Sequence, residues 1–162
     1  MRKEISLKKI RERAESYYRN GDFFCAESIV KTIKEEFDLD LPDEIVSVAS
    51  GFATGMGAGC TCGAVVGGVM SLGMCFGRTQ PGDSSVDKTV RLARELHDTF
   101  QGKHRVLCCR ALTEGKKGGT PERKNQCVAF TGEVATDTAR IIARELHIEI
   151  ADEVAMAAVS TV

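Results

Sequence analysis

Cys60-Thr61-Cys62-Gly63-Ala64-Val65-Val66-Gly67-Gly68-Val69-Met70-Ser71-Leu72-Gly73-Met74-Cys75-Phe76-Gly77 is the stretch on which the fold of this 162-residue chain turns. It ends a run from Ile45 to Phe76 that contains no Asp, Glu, Lys or Arg. Nine of the 16 glycines fall between Gly51 and Gly77, and Gly51, Gly55, Gly59, Gly63 and Gly67 recur every fourth residue. That spacing predicts a buried helix from Cys62 to Phe76 with a glycine-lined face that neighbouring helices can approach closely. The run is long enough to raise the question of a membrane span. Against a span, glycines and Ser47, Ser50, Thr54, Thr61 and Ser71 interrupt it, and strongly apolar side chains are too few.

Amphipathic helices flank this segment. Ile5, Leu7, Ile10, Ala14, Tyr17 and Tyr18 recur at helical spacing in the first segment. Asn20-Gly21-Asp22 is a turn, with Asp22 as the expected N-cap of a helix from Phe23 to about Phe37. A short element opens at Pro42 and reads equally as helix or strand. After Pro81-Gly82-Asp83, the stripe Val86, Val90, Leu92, Ala93, Leu96 and Phe100 predicts a helix that Gly102 ends. A short element spans Val106 to Leu112. Thr120-Pro121 is an N-cap followed by Pro at N1, opening a long helix to about His147. The tail from Ile148 to Val162 is Ala-rich and acidic and is read as a last helix or a frayed end. No alternating strand pattern appears, so the expected fold is all-α: one domain over residues 1–162, six or seven helices around the glycine-rich one.

Composition narrows the function. Hydrophobic residues at 43% and charged residues at 28% describe a globular chain rather than a disordered one. A net charge of −1 argues against nucleic acid as a partner. No Trp and 6% aromatics leave little for base stacking. Charge is segmented: residues 20–60 hold two basic and eight acidic residues, and residues 101–126 hold seven basic and two acidic ones. These two segments are complementary enough to meet within the fold or across a homodimer. The basic one otherwise reads as a solvated face, as compensation for an anionic thiolate site, or as a dock for an acidic redox partner. The charged start Met1-Arg2-Lys3-Glu4 lacks the apolar stretch of a signal peptide, so a cytoplasmic location is expected.

Seven cysteines are the unusual feature: Cys25, Cys60, Cys62, Cys75, Cys108, Cys109 and Cys127. Seven is odd, and structural disulfides are rare in a reducing compartment, so metal or redox chemistry competes with simple burial. CxxC, CxxCH and ferredoxin-type runs are all absent. Any site is therefore assembled from distant segments. Cys25, Cys62 and Cys127 fall near expected helix starts, and Cys109 begins or interrupts a short helix. Free N–H groups and the positive dipole end at such positions favour thiolate, so converging helix starts would hold a cation. Glycines beside Cys62 would let backbone amides approach the sulfurs. Cys75 lies about 220° round a helix from Cys62 and is expected in the core. Cys108 and Cys109 differ by about 100°, so one of them faces away. Gly55-Met56-Gly57-Ala58-Gly59 lacks the full spacing of a dinucleotide or phosphate loop.

Cys62-Gly63-Ala64-Val65-Val66-Gly67 fits CGAxxG, Cys25-Ala26-Glu27-Ser28 resembles an early Cys-Ala motif, and Cys109-Arg110-Ala111-Leu112 and Cys127-Val128 resemble a third and a fourth. Together these four ordered motifs, over about residues 20–146, resemble the redox-active protein family named for its C…CGAxxG…C…C pattern, also written C_GCAxxG_C_C. A similar domain occurs in split-Soret cytochromes, in association with an iron–sulfur centre. The resemblance implies redox function, and with it an iron–sulfur cluster of unspecified nuclearity held by Cys25, Cys62, Cys109 and Cys127, with Cys60 or Cys108 as an extra or substitute ligand. The expected role is electron transfer to or from a redox partner protein. Two other readings stay open here. One is a metal-free thiol–disulfide oxidoreductase using Cys60/Cys62 or Cys109/Cys127. The other is a structural zinc module, although zinc ligands are usually paired two to four residues apart. Whether the chain is an enzyme is left open.

Overall fold

Ser6 starts the first helix by accepting a hydrogen bond from the Lys9 N–H at 3.1 Å. This helix, α1 (Leu7–Asn20), buries Leu7, Ile10 and Ala14 and stops at Gly21, whose φ of 82° turns the chain back. The computed structural model describes residues 2–152. α2 (Cys25–Glu36) follows, and here the expected cap is corrected. Phe24, not Asp22, is the N-cap, and its N–H donates to the Glu27 carboxylate at 2.9 Å. An acidic side chain one turn inside the helix thus does the work that the Asp22 reading assigned to a side chain before it.

The segment from Pro42 resolves as a single turn, α3 (Glu44–Ser47), followed by a tight glycine-rich loop. Next comes the central helix, α4 (Gly63–Phe76), packed against α2 on one side. On the other it meets α5 (Ser85–His104) and α7 (Pro121–Leu146). A Cβ on Gly67 would sit 2.6 Å from the Ala26 carbonyl oxygen, and one on Gly68 would sit 2.6 Å from both Leu96 and Thr138. The glycines therefore let three helices close on one. α5 does not end at Gly102, as expected: it runs on to His104, and Arg105 ends it at φ 67°. Gly102 is exposed with open space where a Cβ would be, so nothing forces a break there.

A one-turn helix, α6 (Cys109–Leu112), precedes α7, which begins at Thr120-Pro121 as expected. Phe37, Phe100, Ile29, Ile33, Leu72, Leu92, Leu96 and Ile142 fill the main core. The structure is all-α apart from a two-residue parallel pair, β1 (Glu4–Ile5) with β2 (Glu149–Ile150). Two residues are too few to show alternation in sequence. The expectation for the tail meets β2 in part, and residues 153–162 lie outside the described residues.

The acidic 20–60 segment meets the basic 101–126 segment through the backbone, where the Cys109 N–H donates to the Cys60 carbonyl and Arg110 donates to the Ala58 carbonyl, while their charged side chains pair elsewhere. Glu35 and Glu36 bind Arg13 of α1 at 2.8 and 2.9 Å, and Asp43 binds Lys34 at 2.8 Å. Lys103 is taken by Glu133 and Asp137 of α7. No helix among the described residues is long and apolar enough to cross a membrane.

Candidate functional site

Four cysteines from four separate segments line one narrow cavity of about 40 Å³: Cys25, Cys62, Cys109 and Cys127. Tyr18, Phe24, Thr54, Arg123 and Phe130 contribute to its walls.

Cys25 is the first residue of α2, and the N–H groups of Thr54 and Ala26 face its sulfur. Thr54 stands in the left-handed region at φ 53°, at the head of a run that includes Gly55, Met56 and Gly57. For a β-branched residue that conformation costs about 1–3 kcal/mol, and such strain collects at functional sites. Gly55 has no room for a side chain, since a Cβ there would lie 2.7 Å from the Cys60 nitrogen and 2.8 Å from the Cys109 Cβ.

Cys62 is the N-cap of α4, and the N–H groups of Ala64 and Val65, free at the helix start, point at its sulfur. A short antiparallel link holds Cys62 beside Cys109. The Cys62 N–H donates to the Leu107 carbonyl at 2.7 Å, the Cys109 N–H donates to the Cys60 carbonyl, and Thr61 pairs with Cys108. Adjacent residues then face opposite ways. Cys109 turns inward and is 8% exposed, whereas Cys108 turns out to solvent with its thiol on the Gly59 carbonyl at 3.3 Å.

Cys127 lies in the second turn of α7 rather than at its start, so it has no free helix amides. Its sulfur instead meets the Tyr18 hydroxyl from the end of α1. Cys60 is exposed and outside the cavity. Cys75 is half-buried against the main core, and burial alone pushes its thiol up to about 12. His104 does not enter the site: it binds Glu133 at 3.0 Å and packs against the rings of Phe100 and Phe130.

At Cys25 and Cys62 the helix-start amides do not offset burial, contrary to expectation. Burial pushes Cys25 up to about 12, with the neighbouring Cys62 sulfur adding to it. Burial likewise pushes Cys62 up to about 11, against the opposing pull of the Ala64 and Val65 amides. Cys127 also moves upward through burial. Desolvation of a thiolate outweighs two amide hydrogen bonds when no cation is near.

The donor set has the all-sulfur chemistry that thiolate-bound metals take. Four thiols converge with no carboxylate or imidazole among the cavity walls, and amides face two of the sulfurs. Gly63 keeps the space open, since a Cβ there would lie 2.5 Å from the Cys25 sulfur. Among the described residues, no three His, Cys, Asp or Glu side chains are gathered closely enough to hold a metal ion. Sequence reasoning missed Tyr18, Thr54 and Arg123. Tyr18 carried no mark beyond its place on an apolar helix face, and Thr54 none beyond its place before Gly55.

No curated protein and no solved structure matches the chain. Residues 23–141 match the family described as "Putative redox-active protein (C_GCAxxG_C_C)". The chain reads Cys62-Gly63-Ala64 where the family's name writes Gly-Cys-Ala. With a match that spans most of its length and includes all four cavity cysteines, this chain belongs to the C_GCAxxG_C_C family of redox-active proteins.

Proposed function

We propose that Cys25, Cys62, Cys109 and Cys127 together hold an iron–sulfur cluster, and that the protein exchanges single electrons with a partner protein. The observation that supports this reading is the convergence of the four sulfurs on one cavity. When bound, such a cluster supplies a one-electron redox couple.

The protein's own residues have three tasks. The first is to supply thiolates. Burial keeps Cys25 and Cys62 protonated until a cation enters, so loading releases their protons to solvent. The second is to steady the sulfurs: amides of Thr54, Ala26, Ala64 and Val65 and the Tyr18 hydroxyl offset the negative charge on the ligands. The third is to exclude water, for which Phe24, Phe130 and Ala64 wall the cavity. A tetrahedral zinc at about 2.3 Å needs its four sulfurs drawn round one point, whereas a cluster spreads its ligands over several irons. Zinc thiolates usually come in pairs two to four residues apart, and these four come from four separate segments, which supports the cluster. Attack on a disulfide needs a thiol of lowered pKa. The upward shifts at Cys25, Cys62 and Cys127 weigh against that reading, as does the exposure of Cys60 outside the cavity.

Anaerobic purification followed by iron, acid-labile sulfide and visible absorbance measurements tests the proposal. Expected is a coloured protein that loses its iron and sulfide on Ser replacement of any of the four cysteines and keeps them in Cys75→Ser. A colourless protein with one zinc, or a metal-free protein with a reversible two-electron thiol couple, would overturn it.

A further inference from the structure

Ion pairs cover much of the helical surface, and one cluster of cations stands without them. Arg13 with Glu35 and Glu36, Arg94 with Asp98, Lys103 with Asp137, Lys88 with Glu145 and Arg144 with Glu95 distribute opposite charges over the helices. Arg110, Lys116, Arg123 and Lys124 have no carboxylate partner among the described residues. Arg110 is spent on a backbone carbonyl, donating to Ala58 at 2.8 Å.

These four cations line the cysteine cavity or the two clefts that share Arg123 with it. Arg123 lines the cavity itself and both clefts beside it. One cleft, of about 380 Å³, shares Tyr18, Phe24 and Thr54 with the cavity and carries Lys124. The other, of about 610 Å³, carries Arg110 and Lys116, with Glu114 as its one acidic wall residue. Apolar surface accompanies the cations: Phe24, 54% exposed, walls both the cavity and the cleft that carries Lys124, and Met56, on the left-handed loop, is 46% exposed.

Resting on the electron-transfer reading above, we propose that this rim is the docking surface for a small electron-carrier protein with an acidic patch around its own redox group. Charge complementarity selects the partner. An unpaired group of cations attracts an anionic face and steers it to the cavity. The apolar Phe24 and Met56 then provide contact once water is squeezed out. In each encounter the reduced partner loses one electron and the oxidised centre gains it, with no bond to either protein broken.

The test uses a reduced acidic plant-type ferredoxin as the donor and the full-length, iron-loaded chain as the acceptor, followed by stopped-flow absorbance. The second-order rate constant is expected to fall as ionic strength rises. Lys116→Glu/Lys124→Glu is expected to slow it by about tenfold or more at low salt, with iron and sulfide content unchanged. Lys8→Glu/Lys9→Glu serves as the control for net charge. These residues sit at the far end of α1, about 15 Å along the axis from Tyr18, and their exchange is expected to leave the rate within about twofold. Binding of oxidised ferredoxin to the metal-free chain, measured by titration, reads the rim even if no cluster forms. Absence of iron and sulfide from the purified wild-type chain therefore counts against the cluster, and rim-independent binding and rates count against the docking surface. A rim variant that reacts and binds like the wild type at low salt would overturn the proposal. So would saturable binding of inorganic phosphate at the rim by a chain that ignores ferredoxin.

Discussion

Gly63→Ala is the most informative single change. The added Cβ would lie 2.5 Å from the Cys25 sulfur and 2.6 Å from the Phe52 carbonyl oxygen. Ordinary contact begins near 3.5 Å, so the sulfur must retreat by about 1 Å or the start of α4 must move away from α2 by as much. Metal ligation tolerates about 0.2 Å, so the variant loses Cys25 as a ligand rather than merely straining it. The overpacking itself costs about 1–3 kcal/mol of stability. Two further glycines on the same helix separate these effects. Gly68→Ala overpacks the opposite face, against Leu96, Thr138 and Val134, without touching a sulfur. Gly73→Ala meets nothing within 4 Å and is expected to stabilise the helix by up to about 1 kcal/mol. Iron and sulfide content is measured beside urea unfolding for all three. The expected result is loss of cluster in Gly63→Ala only, with stability lowered in Gly63→Ala and Gly68→Ala. Full iron content in Gly63→Ala, or equal loss of iron in Gly68→Ala at matched stability, would refute the reasoning.

Further perturbations address other parts of the site. Tyr18→Phe removes the hydroxyl that meets the Cys127 sulfur; without that hydrogen bond the more negative, reduced state is less stable, and the midpoint potential should fall by about 40 mV, the equivalent of about 1 kcal/mol on one electron. An unchanged potential in redox titration would show that the hydroxyl does not tune the site. Because Cys25 and Cys62 are pushed up to about 12 and 11, the metal-free fold keeps protons that the unfolded chain releases above about 9. Their contribution is complete below pH 9 and is lost as pH rises toward 11–12, at up to about 1.4 kcal/mol per pH unit and group. Urea midpoints of the metal-free protein should therefore drop from pH 8.5 to 10.5, and drop less in Cys25→Ala/Cys62→Ala; equal slopes would exclude these thiols as the source. Asp152 accepts from the Lys8 N–H at 2.8 Å and from Ser6 at 2.9 Å, and the Lys8 amide holds its carboxyl below the usual range. Asp152→Ala should cost about 1 kcal/mol near pH 7. The penalty should vanish as acid protonates the wild-type carboxylate, and a penalty independent of pH would count against the capping role.

Much of the fold was legible because its signals are local. The Thr120-Pro121 start of α7 and the turn at Gly21 follow from backbone rules that need no tertiary knowledge. The misread boundaries are those where a tertiary or non-local partner decides. Glu27 captures the Phe24 amide and shifts the start of α2, and α5 passes through Gly102 because nothing crowds it there. The site divides along the same line. CGAxxG marks positions whose demands the structure explains one by one: Cys62 caps α4, Gly63 clears the Cys25 sulfur, Ala64 walls the cavity, and Gly67 admits Ala26. What the motif could not show is the sign of the electrostatics. Helix starts argue for thiolate from sequence alone, but only packing reveals how completely Cys25 and Cys62 are withdrawn from water. Burial and the helix-start amides oppose each other, and which wins depends on which walls close over the sulfur; here burial wins. Upward-shifted thiols at Cys25 and Cys62 are therefore compatible with the proposed cluster. Their protons are what an incoming cation would displace, so the same burial that weighs against disulfide exchange leaves the proposed metal reading standing.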